Sequence, residues 1–116
     1  MGLLVLGLVL AVAGCSTFSP APAFEPVHEF TGTTPTVTGL FWLRAGAAII
    51  ALEHDGDSNF IVSLEDATAD VVELLVNEIG QFSGSRSVHI DTAGWYMLDI
   101  EYADGAWTIR VEQLEQ

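Results

Sequence analysis

From residue 28 onward the sequence predicts an all-β domain, an antiparallel β-sandwich of about seven to eight strands. Two patterns carry this expectation: short stretches in which apolar and polar residues alternate, and turn signals that recur about every eight to twelve residues. The pairs Asp55-Gly56 and Asp104-Gly105 are the sharpest of those signals. A type I′ hairpin turn needs positive φ at both central positions, which Asp-Gly tolerates, so each pair is expected to close a hairpin.

The expected strands are 28–32, 37–43, 47–54, 58–65, 70–77, 85–91, 95–103 and 106–113. In the fourth, Phe60, Val62 and Leu64 face one way while Ile61 and Ser63 face the other. In the seventh, Tyr96, Leu98, Ile100 and Tyr102 alternate with Met97, Asp99 and Glu101; in the eighth, Trp107, Ile109 and Val111 alternate with Thr108 and Arg110. One face of each strand therefore points to a core and the other to water. The stretch DATADVVELLVNEIG, residues 66–80, is ambiguous because Val72, Leu75, Val76 and Ile79 also fit a helical stripe. Its β-branched content favours a strand. Strands with one apolar face need a second sheet to cover them, and largely sequential hairpins are the economical connection.

Three segments are expected along the chain: 1–14, 15–27 and the sandwich at 28–116. Residues 3–13, LLVLGLVLAVA, are apolar without a charge. At eleven residues the run is short of the ~20 that span a bilayer as a helix, but it suits the core of a signal peptide. Residues 16–27, STFSPAPAFEPV, hold prolines at positions 20, 22 and 26. Proline at that density favours extended polyproline II, so the segment is expected to be a semi-rigid tether.

Between run and tether stands VAGC, Val12, Ala13, Gly14 and Cys15, with the only cysteine of the chain. The tetrapeptide resembles the lipobox of prokaryotic lipoproteins: an aliphatic residue, two small ones, then cysteine. That resemblance implies cleavage after Gly14, with diacylglyceryl on the Cys15 thiol, which would become the mature amino terminus. Small side chains leave room for the peptidase, and a thiolate is the nucleophile that accepts lipid. No Lys or Arg precedes the apolar run, where such signals carry a basic start; a basic segment upstream of Met1, or an atypical signal, is the expected explanation. The stretch from GLFWLRAG through HDGDSNFIVSLED and LLVNEIGQFSGS to GWYMLDIEYADGAWTIRVEQ is similar to a small β-sandwich domain recurrent in exported bacterial and archaeal proteins. It covers roughly residues 37–113 and implies a fold and a location, with no activity attached.

Sixteen Asp and Glu stand against three Arg and no Lys, a net charge of −13. Nucleic-acid binding is excluded, since it needs clustered cations to displace phosphate counterions. A polybasic membrane patch is excluded on the same ground. Acidity without lysine resembles the proteins of salt-loving microbes; it keeps a surface hydrated and the chain monomeric, with self-repulsion that salt screens.

Few constellations point to chemistry. Asp55, Asp57 and Asn59, with Asp66 eleven positions past Asp55, match the ligand spacing of an EF-hand. Phe60 stands where that loop bends at Gly, and a strand pattern follows at once, which leaves a looser calcium site at Asp55, Asp57 and Asn59 or a plain turn. His28, His54 and His89 have no partners at zinc-motif spacing, and His54 with Asp55 and His89 with Asp91 read as strand-end pairs. FSGSRS lacks a nucleophile elbow and reads as a Gly/Ser loop. Glu65, Asp66, Asp99 and Glu101 are expected on water-facing positions with ordinary acidity. Trp42 and Trp95 fall out of phase with some apolar neighbours and are expected to be exposed, where a flat pair would stack on sugar rings. The expectation is thus a membrane-anchored, extracytoplasmic lipoprotein whose sandwich is a non-catalytic interaction or surface-display module, without cofactor, for a protein or envelope component. A carbohydrate- or calcium-binding sandwich is the alternative.

Overall fold

A computed structural model describes residues 23–114, and among them the chain forms strands and no helix. Nine strands follow in order: β1 (Phe24–Gly32), β2 (Thr36–Val37), β3 (Phe41–Leu43), β4 (Gly46–Asp55), β5 (Asn59–Asp66), β6 (Val71–Ile79), β7 (Phe82–Ile90), β8 (Gly94–Tyr102) and β9 (Ala106–Leu114). The first sheet runs β1-β9-β4-β7, and the second runs β2-β8-β5-β6 with β3 also on β8. All pairings are antiparallel, so the expected sandwich is the observed fold.

The alternation anticipated from the sequence fills the space between the sheets. Phe60, Val62 and Leu64 from β5 and Leu98 and Ile100 from β8 meet Ile50 and Leu52 from β4 and Ile109 and Val111 from β9, each at most 1% exposed. Burying a side chain of this class stabilises a fold by about 1.5–3 kcal/mol, and this layer is what holds the two sheets together. Trp107 lies in the same core at 3% exposure and donates its indole N–H to the Thr34 carbonyl at 2.9 Å.

The connections differ from expectation. Of the neighbouring strands in either sheet, only β5 and β6 are joined directly along the chain, so the sandwich is not a run of sequential hairpins. Asp104-Gly105 joins β8 to β9, and Asp55-Gly56 joins β4 to β5; each pair carries the chain from one sheet to the other. These are arches, and neither glycine has positive φ. Both are glycine because space is short: a Cβ on Gly56 would meet Asp104 Oδ1 at 2.2 Å, and one on Gly105 would meet the Asp55 carbonyl at 2.2 Å. The hairpin between β5 and β6 turns instead on DATAD, with Ala69 at φ 69° and Asp66 Oδ1 accepting from Thr68 N and Asp70 N.

Several boundaries move for physical reasons. The first strand begins at Phe24, so residues 24–27 belong to the domain and not to the tether. Pro26 is tolerated because β1 is an edge strand, with a register shift between Pro26 and His28. The expected strand 37–43 is two strands: Thr38 turns the chain, accepting from Leu98 N through its hydroxyl and donating its own N–H to the Leu98 carbonyl. FSGSRS is not a loop; it is the first part of β7, with Ser83, Ser85 and Ser87 opposite Glu53, Ala51 and Ile49 of β4.

The ambiguous segment is a strand with two extra residues. Val62 pairs with Val76 but Ser63 with Leu74, leaving Leu75 over; Leu64 pairs with Glu73 but Glu65 with Val71, leaving Val72 over. The bulges bury Leu75 and Val76 side by side and expose Val72 and Ile79, which is how a strand imitates helical spacing. Two bulges on an edge strand interrupt its regular ladder, which blunts pairing with other chains.

Candidate functional site

Two places gather polar side chains with aromatic ones. The first lies at the arched end of the sandwich. His54, the residue before the end of β4, faces inward, 3% exposed, its ring stacked on Phe60 at 4.5 Å between centroids and 6° between planes. Its Nδ1 lies 2.9 Å from the Gly80 carbonyl, so Nδ1 carries a proton and donates it. Its Nε2 lies 3.2 Å from Asp104 Oδ1, off the hydrogen-bonding direction. The partner of His54 is thus Asp104, not the adjacent Asp55.

The Asp104 carboxylate holds the turn that contains Asp55, Asp57 and Asn59 from the facing arch. Its Oδ2 accepts the N–H groups of Asp57 at 3.1 Å and Ser58 at 3.0 Å. These bonds, the Ser58 one foremost, hold the Asp104 carboxyl below the usual aspartate range, with His54 contributing least. Asp55 accepts from the Gln81 side chain at 3.1 Å. Among the described residues, no three His, Cys, Asp or Glu side chains are grouped to hold a metal ion. The arrangement can bridge turns and hold them rigid.

The second place is the outer face of the second sheet. Trp42 and Trp95 are paired across β3 and β8 and are 46% and 53% exposed, as their phase implied. Their rings meet at 5.2 Å and 79°, edge to face, so they form a corner and not the flat platform on which a sugar ring would lie. Below them on β8 follow Met97, Asp99 and Glu101, and across on β5 lie Ile61, Ser63 and Glu65.

Glu65 was expected at the water surface, yet it is 9% exposed. Its strand neighbours in register are Met97 on β8 and Val71 on β6, which flank the carboxyl with apolar groups. Burial pushes the Glu65 carboxyl above the usual range, and the adjoining Asp99 carboxyl, then Asp66 and Glu101, push it further. Asp66 departs from ordinary acidity in the opposite sense: hydrogen bonds from the Thr68 hydroxyl and the Asp70 and Thr68 N–H groups hold it low. Alternation alone does not reveal Glu65, because a carboxylate at an outward position reads as solvated until the flanking strands are known.

Tyr102 also lies on this face. It was in phase with the core residues of β8, but Ile61 pairs with Tyr102 while Val62 pairs with Ile100, so Glu101 is extra and Tyr102 is turned outward, 50% exposed.

The remaining sites are scattered. Cys15 and Gly14 lie outside the described residues. His28 donates its Nε2 proton to the Trp42 carbonyl, 2.8 Å away, and packs on Phe41 at 4.8 Å, fastening β1 to β3. His89 and Asp91 lie 3.4 Å apart with both side chains in water, 72% and 90% exposed. The chain matches no protein-family model and no curated protein.

Proposed function

We propose that the chain is an extracytoplasmic lipoprotein, anchored in the membrane by lipid on Cys15, whose β-sandwich serves as a non-catalytic interaction or surface-display module. The observation that carries this reading is the placement of VAGC, Val12 to Cys15, directly after the apolar run 3–13 and before a proline-rich stretch. Cleavage after Gly14 would leave Cys15 with two acyl chains on one glyceryl group, enough for stable anchoring where a single chain is marginal. Because β1 begins at Phe24, the tether in this reading is residues 15–23. An interaction role is supported by the outer face of the second sheet, where exposed aromatic rings stand beside carboxyls.

Metabolic labelling with a radioactive or alkyne-bearing fatty acid tests the anchor. Label is expected on the wild-type chain and absent from Cys15→Ser, and the variant should also be lost from the membrane fraction. Equal labelling of the two would overturn the assignment.

A further inference from the structure

Glu65 is 9% exposed, and the side chain that bears most on its carboxyl is another carboxyl, Asp99. The two are brought together by register: Glu65 is opposite Met97 and Ser63 opposite Asp99, so they are diagonal neighbours on one face. Two carboxylates this close repel unless a proton or a cation joins them. Glu101 on β8 and Asp66 on β5 add negative potential at the same point, and β6 places only Val71 opposite Glu65.

Among the described residues the chain supplies no cation here. Arg44 donates to the Leu114 carbonyl, Arg86 is on β7, and Arg110 is paired with Glu112 at 2.8 Å on β9, so all three arginines sit with the first sheet. There is no lysine. Around the carboxyl pair, Trp42, Trp95, Val71 and Leu74 are 46%, 53%, 62% and 49% exposed. Acidic groups without a counter-ion, set in apolar and aromatic surface, complement a cation carried on an apolar stem.

We propose that this face docks a partner protein through an arginine side chain that bridges the Glu65 and Asp99 carboxyls, while apolar neighbours of that arginine pack on Trp42, Trp95, Val71 and Leu74. The inference rests on the reading of the domain as an interaction module and names the surface and the partner chemistry. A guanidinium has donors enough to serve both carboxyls at once in fixed planar geometry. Indole faces attract the cation and its stem. A guanidinium bridge favours the ionised carboxyls, so association releases any proton the pair carries and weakens as pH falls.

The test titrates the purified full chain with the peptide acetyl-Leu-Arg-Leu-Arg-Gly-amide, and with its counterpart bearing neutral citrulline for arginine, by calorimetry in two buffers of different ionisation enthalpy. Saturable binding of the arginine peptide is expected, with proton release. It should weaken at least about tenfold with citrulline and in Glu65→Gln. Glu112→Gln, on the opposite sheet, should bind within about twofold of wild type, as surface pairs contribute little. Trp95→Ser should weaken binding without altering the proton count.

Equal binding of the two peptides, or equal effects of Glu65→Gln and Glu112→Gln, would overturn the proposal. So would concentration-dependent self-association abolished by Trp95→Ser, because the occupant would then be a second copy. Cross-linking of the displayed domain to an envelope protein through the first sheet would overturn this face and leave the interaction reading standing. No cross-linked protein from either sheet would overturn both.

Discussion

His54 Nε2 lies 3.2 Å from Asp104 Oδ1, and through this pair three arches at one end of the sandwich are tied together. Asp104 belongs to the arch between β8 and β9 and holds Asp57 and Ser58 in the arch between β4 and β5. His54 reaches from β4 to Gly80 in the arch between β6 and β7, and Gly80 N donates back to the Ser58 carbonyl at 2.9 Å. The two sheets share few backbone bonds, so these contacts fix how they sit on one another.

His54→Ala is therefore expected to cost about 2–4 kcal/mol in denaturant unfolding, since it removes a buried stacked ring and leaves the Gly80 carbonyl without its donor. His54→Phe keeps the stack on Phe60 and should cost less, about 1–2 kcal/mol. Asp104→Ala should lower the unfolding midpoint, and its effect should not add to that of His54→Ala, because the two act through one network. Full additivity would show that they are independent.

The arch glycines separate close approach from backbone conformation. Gly56→Ala and Gly105→Ala each place a Cβ 2.2 Å from an oxygen of the facing arch and should destabilise by about 1–3 kcal/mol. Gly39→Ala meets nothing within 4 Å and needs no positive φ, so it should be neutral or stabilising by up to about 1 kcal/mol. Chemical unfolding of the three variants side by side decides the matter; equal effects would mean the arches have room to relax.

The acidity of Glu65 gives stability a recognisable pH dependence. Burial, then Asp99, raises the carboxyl above its unfolded value, so the folded state holds that proton more tightly. The contribution is present below the ordinary glutamate range and is lost as pH rises through the raised value. Asp66 and Asp104 are lowered by hydrogen bonds, so theirs is present above the ordinary aspartate range and lost as pH falls through the lowered values. Glu65→Gln should remove the loss on the alkaline side and leave the acid side unchanged, as read from unfolding midpoints between about pH 3 and 8. An unaltered alkaline slope would count against the burial of this carboxyl.

A net charge of −13 with no lysine implies self-repulsion in the folded state. Raising salt from ~0.1 M to ~1 M shortens the screening length from ~10 Å to ~3 Å. The thermal midpoint should climb across that range, and further for wild type than for a variant with three surface acids neutralised. A midpoint that is flat with salt would exclude repulsion as a term of consequence.

The layer structure was legible because alternation reports directly on burial: Phe60, Val62, Leu64 and Trp107 read as core, Trp42 and Trp95 as surface, and the structure places them so. Connectivity was less legible. An Asp-Gly pair signals that a side chain is unwelcome, but positive φ and a facing backbone exclude a Cβ alike, and only packing separates a hairpin from an arch. Bulges hid the rest. One extra residue at Glu101 turns Tyr102 outward, and two in β6 give a strand the spacing of a helix. The pairs His54–Asp104 and Glu65–Asp99 join distant positions, so neither partner marks the other in the sequence.

The central claim, that Cys15 is the lipid-bearing first residue of a displayed domain, is tested most directly by intact mass measurement of the protein extracted from membranes. The account expects a chain that lacks residues 1–14 and carries the added mass of diacylglyceryl on the Cys15 sulfur, falling after alkaline cleavage of the two ester bonds to the chain with a single glyceryl group left on that sulfur. A chain that retains Met1 to Gly14 with a free, alkylatable Cys15 thiol would contradict it.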